Sequence, residues 1–322
     1  MDGISRKPDT QLNGQDLPWL IEEYLKDCER RVQKKTCYTY RMLLDYFLTW
    51  WAEVGPNQNY TLRRSDFNVF IQWLQTQTSY RSGPIAFGTI KKTLVLVKQT
   101  FKFAYREGYT TRDYAVWVPK AKGRPLPKQA PDPSCIVKLF NACDASLHPT
   151  RNKAMLAVLA GTGARRAECV GIDIGDVKFF ADKPGGQITI RHGKNDKDRI
   201  VFFDGAAGDY IMAQINDLAD SGHTTGPLFI GYRGERVRPK SMNGIIDNIV
   251  ELAGLSGMVH GPHDLRRLFA TFWTRNNRGV GYLQPLSMQL GHSTTAMTMY
   301  YSKQDTTDLE QTFISPLAML KK

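Results

Sequence analysis

A proline-rich segment at residues 119–131 interrupts the chain and sets its organisation. It reads PKAKGRPLPKQAP, with four prolines, four basic residues and no acidic residue. Because proline lacks a backbone N–H and fixes φ, neither a helix nor a central strand can run through this segment. The length of 322 residues also favours two domains. We therefore predict a flexible polar N-terminus at 1–14, a first domain at 15–118, a linker at 119–131 and a second domain at 132–322.

The first domain is predicted to be a bundle of amphipathic helices. Apolar residues recur at helical spacing from Leu17 to Arg31, and again after Thr36 and Ser65, which we expect to cap the second and third helices. A longer fourth helix is expected from Phe87 to Glu107, closed by Gly108. Aromatic residues are frequent along these helices, and we assign them to the bundle core rather than to stacking on bases.

The second domain mixes helices and strands. Residues 187–190 and 200–203 are rich in β-branched and aromatic types and flank a polar turn, which predicts a β-hairpin, and residues 228–232 are expected to form a further short strand. Helices are predicted at 133–143, 151–160, 208–220, 241–252, 262–276 and 286–290. The predicted fold class is mainly α with a small β-sheet, in which an N-terminal helical bundle is followed by an α+β domain.

The net charge of +12 indicates a polyanionic partner, either nucleic acid or an anionic membrane. Residues 1–130 hold 21 Lys and Arg against 12 Asp and Glu, so most of the excess lies in the first domain. A solvated surface rich in lysine would give the same charge, and charge alone leaves both explanations open. We find no apolar run of ~18 residues that could span a membrane, and no basic amphipathic helix with a broad apolar face that could lie on one.

Cysteine usage and the N-terminus favour a cytoplasmic protein, associated with the nucleoid if its partner is DNA. The five cysteines are odd in number and form no CxxC pair, so we expect reduced thiols in the core. The first 15 residues are polar and lack the apolar stretch of a secretory signal.

No cofactor and no metal are expected. The Gly-Thr-Gly at 161–163 lacks the third glycine of a dinucleotide loop, and the Gly-Lys at 193–194 lacks the Ser or Thr of a P-loop. His260 and His263 have ligand spacing, but no further Cys or carboxylate ligand stands at a useful distance in sequence.

Four clusters in the second domain carry groups that can act on a phosphodiester. They are TGARRAE at 162–168, GKNDKDR at 193–199, HDLRR at 263–267, and LGH at 290–292 followed by Tyr301. Cleavage without a metal requires cations on the non-bridging oxygens, a nucleophile that loses a proton and a leaving oxygen that gains one. A tyrosine suits the nucleophile's task, because the covalent link that it forms keeps the bond energy and can be reversed.

The remaining tasks have candidates in the same clusters. Arg165 and Arg266 can bind the phosphate, since a guanidinium fork meets two oxygens at once and stays charged. Lys194, on a turn, can protonate the leaving oxygen. His263 and His292 can move a proton or donate a hydrogen bond near neutral pH. Each residue alone also has an ordinary explanation as a surface, turn or packing residue, so the prediction depends on their order and spacing together.

The order and spacing of the clusters resemble the tyrosine recombinase family, that is, phage integrases and Xer-like proteins. The family motifs TGLR, GKGxKxR, HxLR and LGH are matched in order at 162–165, 193–199, 263–266 and 290–292. The family's nucleophile follows the last motif by nine residues, which falls on Tyr301. The resemblance extends over residues 162–301, and no specific motif of the family stands in the first domain.

Several positions depart from the family pattern. Ala164 replaces Leu, Asn195 replaces Gly, and Arg267 stands where the family often has His. Tyr300 adjoins Tyr301 and could take its place as the nucleophile, but the spacing favours Tyr301.

The resemblance implies a fold, a partner and a mechanism. It implies a SAM-like core-binding domain and an α+β catalytic domain that close on double-stranded DNA as a homo-oligomer, from dimer to tetramer, without metal or ATP. Accessory DNA-bending proteins are left open. Arg165, Arg266, His263 and His292 would bind the scissile phosphate, while Lys194 would protonate the 5′ oxygen. His263 would also take the proton of Tyr301, which would form a 3′-phosphotyrosyl link.

Two further expectations concern the linker and the tail. The basic linker residues are predicted to lie along the DNA backbone, with an ordinary hinge as the alternative; they are Lys120, Lys122, Arg124 and Lys128. The tail after Tyr301 is amphipathic and would dock on the next protomer, or else pack on its own domain.

Two other functions stay open at this point. A type IB topoisomerase would relax supercoiled DNA that has no specific site. A DNA-binding protein without catalysis would form no covalent adduct.

Overall fold

The computed structural model describes residues 16–53, 62–78, 83–122, 131–191, 198–276, 281, 283–291 and 317. The chain divides into two compact units, Met1–Pro127 and Lys128–Lys322, here called unit 1 and unit 2. Each unit has a hydrophobic core of its own. The domain limits drawn from the sequence stay predictions.

Unit 1 is a bundle of amphipathic helices around an aromatic core. Its helices are α1 (Asp16–Glu29), α2 (Lys34–Glu53), α3 (Arg64–Thr76) and α4 (Phe87–Arg106). The ring of Phe47 on α2 lies at the centre, with its centroid 4.9 to 6.3 Å from those of its aromatic neighbours. These neighbours are Trp50, Phe67, Phe70 and Phe101. For this cluster the prediction that the aromatic residues form the core is confirmed.

Two helix starts differ from the prediction. α2 begins two residues before Thr36 and α3 begins one residue before Ser65, so neither hydroxyl residue stands at the predicted cap position. At the start of α3 the carboxylate of Asp66 instead accepts a hydrogen bond of 2.7 Å from the backbone N–H of Arg63. Any Ser or Thr before an apolar run is a candidate cap, and packing decides which turn the helix starts on.

Unit 2 is an α+β domain. Its helices are α5 (Cys135–Ala142), α6 (Pro149–Thr162), α7 (Arg166–Gly171), α8 (Gly205–Asp220), α9 (Pro239–Leu252), α10 (Pro262–Asn276) and α11 (Leu283–Leu290). Its strands are β1 (Val177–Phe179), β2 (Gly186–Ile190) and β3 (Arg199–Phe203), which pair antiparallel in the order β1-β2-β3. The predicted hairpin is therefore confirmed, and so is the predicted class of a mainly helical chain with a small sheet.

Two details of the sheet were not predicted correctly. The strand expected at 228–232 is wrong, because this segment forms only an isolated bridge between Ile230 and Arg236. β1 was not predicted at all, since a strand of three residues is too short to show an alternating pattern.

Helix α6 runs through the middle of unit 2. It packs against α8 and α10, and every residue from Ala154 to Thr162 is buried. The C-terminal end of α6 therefore lies inside the domain. Leu317, from the C-terminal tail, is buried against this helix, and a Cβ built on Gly161 would lie 2.9 Å from its Cδ1. At Leu317 the tail thus packs on its own unit.

All five cysteines are buried and free of disulfides, which confirms the prediction of reduced core thiols. Within the described part of the chain, no helix has the length and apolar character needed to cross a membrane.

We predict that Phe47→Ala destabilises unit 1 by about 3–5 kcal/mol, because the site cannot close around the lost ring. Urea unfolding followed by tryptophan fluorescence measures this, since five of the six tryptophans lie between residues 19 and 117. Tyr38→Ala on the same helix is the control, because Tyr38 is 65% exposed and its loss should change stability by less than about 0.5 kcal/mol. Equal effects of the two substitutions would contradict the aromatic core.

Candidate active site

The first cluster forms a tight turn at the buried end of α6. Gly163 has φ +69°, and a Cβ there would lie 2.6 Å from the ring of Phe269 and 2.8 Å from Leu290. Only glycine tolerates both this backbone conformation and this close approach. The Oγ of Thr162 holds the turn by accepting a hydrogen bond of 3.1 Å from the N–H of Ala164. The chain then reverses, and Arg165 becomes the residue before α7.

Arg165 is held at both ends of its guanidinium. One terminal nitrogen donates to Oε1 of Glu168 at 2.7 Å, and the other donates to the backbone carbonyl of Gly291 at 2.7 Å. The backbone N–H of Arg165 also donates to Oε2 of Glu168 at 2.6 Å. The side chain is 32% exposed, so the guanidinium is fixed in position and still open to a ligand.

Arg266 lies deeper than Arg165. It is 6% exposed, and its terminal nitrogens donate to the carbonyls of Gly163 and Leu290, both at 2.7 Å. Among the described residues it pairs with no carboxylate. Burial lowers the pKa of Arg266 to about 10, and the neighbouring charge of Arg165 acts in the same direction. The guanidinium is still charged at pH 7, and among the described residues its charge is compensated by backbone dipoles and by Glu168 nearby.

The two arginines meet at the end of α11. Their acceptors there, the carbonyls of Leu290 and Gly291, belong to consecutive residues, whose Cα atoms lie about 3.8 Å apart. Two residues that are 101 positions apart in the sequence thus place two guanidiniums side by side. Such a pair, with one member buried, attracts an anion that can take two or more hydrogen bonds, as a phosphate does.

Gln289 fixes the end of α11 against the rest of unit 2. Its side chain is fully buried, and its Nε2 donates to the carbonyls of Thr162 at 3.1 Å and Phe202 at 2.8 Å. Its Oε1 accepts from the N–H of Phe202 at 3.1 Å. One amide therefore joins α11, the end of α6 and β3. Sequence reasoning missed this residue, although a glutamine directly before the LGH motif, where the helix faces the core, was a signal.

Glu168 and Arg199 complete the cluster. Burial opposes ionisation of Glu168, but the hydrogen bonds and charge of Arg199, together with Arg165, outweigh it and lower the pKa of this carboxyl to about 2. Both residues stand in the clusters singled out in the sequence, at 162–168 and 193–199, but neither was assigned a role there.

The other predicted site residues are placed as follows. His263 is exposed in the first turn of α10, three positions before Arg266, and so lies on the same side of the helix. Arg267, where the family often has His, donates to Oδ1 of Asp264 at 2.6 Å. Lys120 and Lys122 are exposed near the end of unit 1. Lys194, His292, Tyr300, Tyr301, Arg124 and Lys128 lie outside the described residues.

No group of three or more His, Cys, Asp or Glu side chains that could hold a metal ion occurs within the part of the chain that the structure describes.

Comparison with known protein families decides the classification. A model of the phage integrase family matches residues 132–307, which is more than half of the chain, and a model of the phage integrase N-terminal SAM-like domain matches residues 21–108. The chain belongs to the phage integrase family. The resemblance drawn from the four motifs, and the predicted pairing of a SAM-like domain with a catalytic domain, are thereby confirmed.

Individual proteins agree with the family. The tyrosine recombinase XerD of Mycobacterium tuberculosis is 30% identical over 286 residues, which cover 85% of this chain and 88% of the relative. Two solved structures share the fold at 15% identity. XerH bound to difH substrate has a TM-score of 0.67 over 94% of this chain and 96% of that chain. A lambda integrase tetramer bound to a Holliday junction has a TM-score of 0.64, with coverage of 96% and 79%.

The predicted function and enzyme class are confirmed with the family. The chain is a site-specific tyrosine recombinase, an enzyme that cleaves and rejoins DNA.

We predict that Gln289→Leu lowers the stability of unit 2, because it leaves the buried N–H and C=O of Phe202 and the C=O of Thr162 without their side-chain partner. Gln214→Leu is the matched control. Gln214 is also buried, but its Nε2 donates only to the carbonyl of Leu228, at 3.2 Å, and its Oε1 has no partner among the described residues. In urea unfolding followed by circular dichroism, Gln289→Leu should cost about 1–3 kcal/mol more than Gln214→Leu. Equal losses would show that the Gln289 amide does not hold α11.

Proposed function

We propose that Arg165 and Arg266 bind the scissile phosphate of double-stranded DNA, and that Tyr301 attacks this phosphate to form a 3′-phosphotyrosyl intermediate. The observation that carries the proposal is the adjacent placement of the two guanidiniums, one of them buried without a carboxylate partner among the described residues. A buried cation favours an anion that completes its hydrogen bonds, and the negative charge that develops on the phosphoryl oxygens in the transition state is such an anion.

The proposed reaction is a reversible transesterification. The phenol oxygen of Tyr301 forms a bond to phosphorus, and the bond from phosphorus to the 5′ oxygen breaks with its electron pair on that oxygen. His263 takes the proton from the phenol, and Lys194 gives a proton to the 5′ oxygen. His292 donates a hydrogen bond to a non-bridging oxygen. Attack by a 5′ hydroxyl on the tyrosyl link then rejoins the strand, and no ATP is needed because the bond energy is kept in that link. The two guanidiniums would take the place of a metal ion by offsetting the charge on the phosphoryl oxygens.

Unit 1 is proposed to hold the duplex with the outer face of α4. This helix of 20 residues contains four lysines and one arginine and no acidic residue. Lys91, Lys92 and Lys102 are exposed, and none of them pairs with a carboxylate within the described ranges. Unpaired lysines along one helix face release counterions when they meet a phosphate backbone, which drives binding. The linker lysines Lys120 and Lys122 would extend this contact together with Arg124 and Lys128.

We further propose that the protein works as a homo-oligomer on DNA, from dimer to tetramer. Two of its structural neighbours support this arrangement, since lambda integrase was solved as a tetramer bound to a Holliday junction and XerH was solved bound to its difH substrate. The same activity on chromosomal DNA would place the protein in the cytoplasm, at the nucleoid.

Trapping of the covalent intermediate tests the proposed chemistry. The substrate is a pool of nicked duplexes with random sequence around the nick, in which cleavage releases a short fragment and blocks rejoining. The wild type and Tyr300→Phe should yield denaturation-resistant adducts that share a DNA sequence, and Tyr301→Phe should yield none. Adducts lost only in Tyr300→Phe would reassign the nucleophile. Absence of adducts with the wild type would refute the chemistry, and adducts with no shared sequence would favour a topoisomerase.

The salt dependence of DNA binding tests the α4 surface. Because each phosphate contact contributes about 0.9 to the slope of log K against log salt, Lys91→Ala combined with Lys102→Ala should make this slope shallower by up to about 1.8. Fluorescence anisotropy with a labelled duplex measures the slope. Arg41→Ala is the control, since Arg41 is already paired with Glu22. Identical slopes for the wild type and the double variant would remove α4 from the interface.

A further inference from the structure

Arg199 is a half-buried arginine next to the phosphate-binding pair. It is the first residue of β3 and donates to both oxygens of Glu168, at 2.8 and 2.7 Å. Its side chain is 15% exposed, and that of Glu168 is 7% exposed. This two-pronged contact fits the geometry of a guanidinium and a carboxylate, which a lysine could not reproduce.

The carboxylate that Arg199 grips is the one that holds Arg165. Glu168 accepts four hydrogen bonds, two from Arg199 and two from Arg165, of which one comes from the backbone and one from the side chain. Where the structure describes its surroundings, Arg165 has one other anchor, the carbonyl of Gly291. The direction in which Arg165 points therefore depends on where this carboxylate is held.

Arg199 also contacts the second anchor of Arg165. Gly291 has φ +61°, and a Cβ built there would lie 2.8 Å from Nε and 2.9 Å from Cζ of Arg199. The guanidinium thus packs closely against the glycine of the LGH motif. Its Nε is buried and has no hydrogen-bond partner in the described part of the chain. This Nε lies at the point where β3, α7 and the end of α11 meet.

We propose that Arg199 is a positioning residue that aims Arg165 at the scissile phosphate by fixing Glu168 and Gly291, and that it does not itself bind DNA. The proposal rests on the proposed role of Arg165. A buried ion pair adds little net stability compared with apolar packing. Stability alone therefore does not explain why Arg165 and Arg199 both bind Glu168 beside the proposed reaction centre.

The main test compares cleavage and DNA binding in Arg199→Gln, on a nicked substrate recovered from wild-type adducts. The single-turnover rate of adduct formation should fall about 10- to 100-fold, the usual effect of a small displacement of a binding group. The slope of log K against log salt should stay at the wild-type value, since no phosphate contact is lost. For comparison, Arg165→Gln should lower that slope by about 0.9.

The pH profile separates positioning from a purely structural role. The charged groups that face Glu168 in the described residues are Arg165, Arg199 and Arg266. In the wild type the low pKa keeps Glu168 ionised at neutral and mildly acidic pH. Loss of Arg199 removes the strongest influence that lowers the pKa of Glu168, so this pKa rises. In the variant Glu168 therefore takes up a proton as the pH falls through the raised pKa. The ratio of the variant rate to the wild-type rate should therefore decrease towards acidic pH.

Two controls accompany the profile. Adding Glu168→Gln to Arg199→Gln should abolish the extra pH dependence, because no carboxyl is left to titrate. Arg191→Gln should show the wild-type profile. Arg191 directly follows β2 and pairs with a different carboxylate, that of Asp176, at 2.6 Å.

The outcomes distinguish a failure of the proposed function from a failure of the positioning role of Arg199. A wild type that forms no adduct refutes the proposed function itself. Two results would overturn the positioning role while leaving the proposed function intact, provided that the wild type forms adducts. One is an Arg199→Gln rate equal to the wild-type rate. The other is a salt slope of Arg199→Gln that is reduced by the amount of one phosphate contact. If Arg199→Gln does not fold, Arg199→Lys decides. It keeps the charge and loses the fork, so we expect a lower rate with a wild-type pH profile, and a wild-type rate would overturn the proposal.

Discussion

The carbonyl end of α11 is the feature on which the site depends. Two guanidiniums are brought side by side inside a protein, and burial, together with their mutual repulsion, lowers the pKa of Arg266 to about 10. The arrangement holds because the backbone carbonyls of the last residue of α11 and of the residue after it have no partner within the helix and lie at the negative end of its dipole. Each arginine donates to one of them, at Leu290 and Gly291. The helix end thus aligns both arginines and offsets part of their charge, while an approaching phosphate would offset the rest.

The rest of unit 2 keeps that helix end in place. α6 crosses the core and stops at Gly163, where a positive φ and contact with Phe269 leave no room for a side chain. The carbonyl of Thr162, at the end of α6, is taken by Gln289 of α11. The same amide pairs with both backbone groups of Phe202 in β3. Two helix ends and a strand edge are therefore tied together at one point, and their unpaired backbone groups are satisfied by one another and by the arginines.

Unit 1 is built around an apolar interior, and its charged lysines lie on an exposed helix face. Aromatic rings around Phe47 fill the bundle, and such pairs add about 0.5–1.5 kcal/mol each beyond the area that they bury. Because these rings are used for packing, the proposed contact with nucleic acid is left to the exposed side of α4. The lysines there stand on one helix, so their spacing would be set before a duplex binds.

The family, the fold class and the hairpin of β2 and β3 follow from the amino-acid order alone, and so does the prediction that Arg165 and Arg266 belong to the site. These follow from local rules, since glycine marks a positive φ and apolar periodicity marks a helix or a strand. The folded structure was needed to show that the two arginines share one helix end, that Gln289 ties three elements together and that Arg199 binds the carboxylate that holds Arg165. It also decided against the strand at 228–232. The physical reason is distance along the chain: these hydrogen bonds join residues that are 24 to 127 positions apart, and only packing of the whole core brings their atoms within about 3 Å of one another.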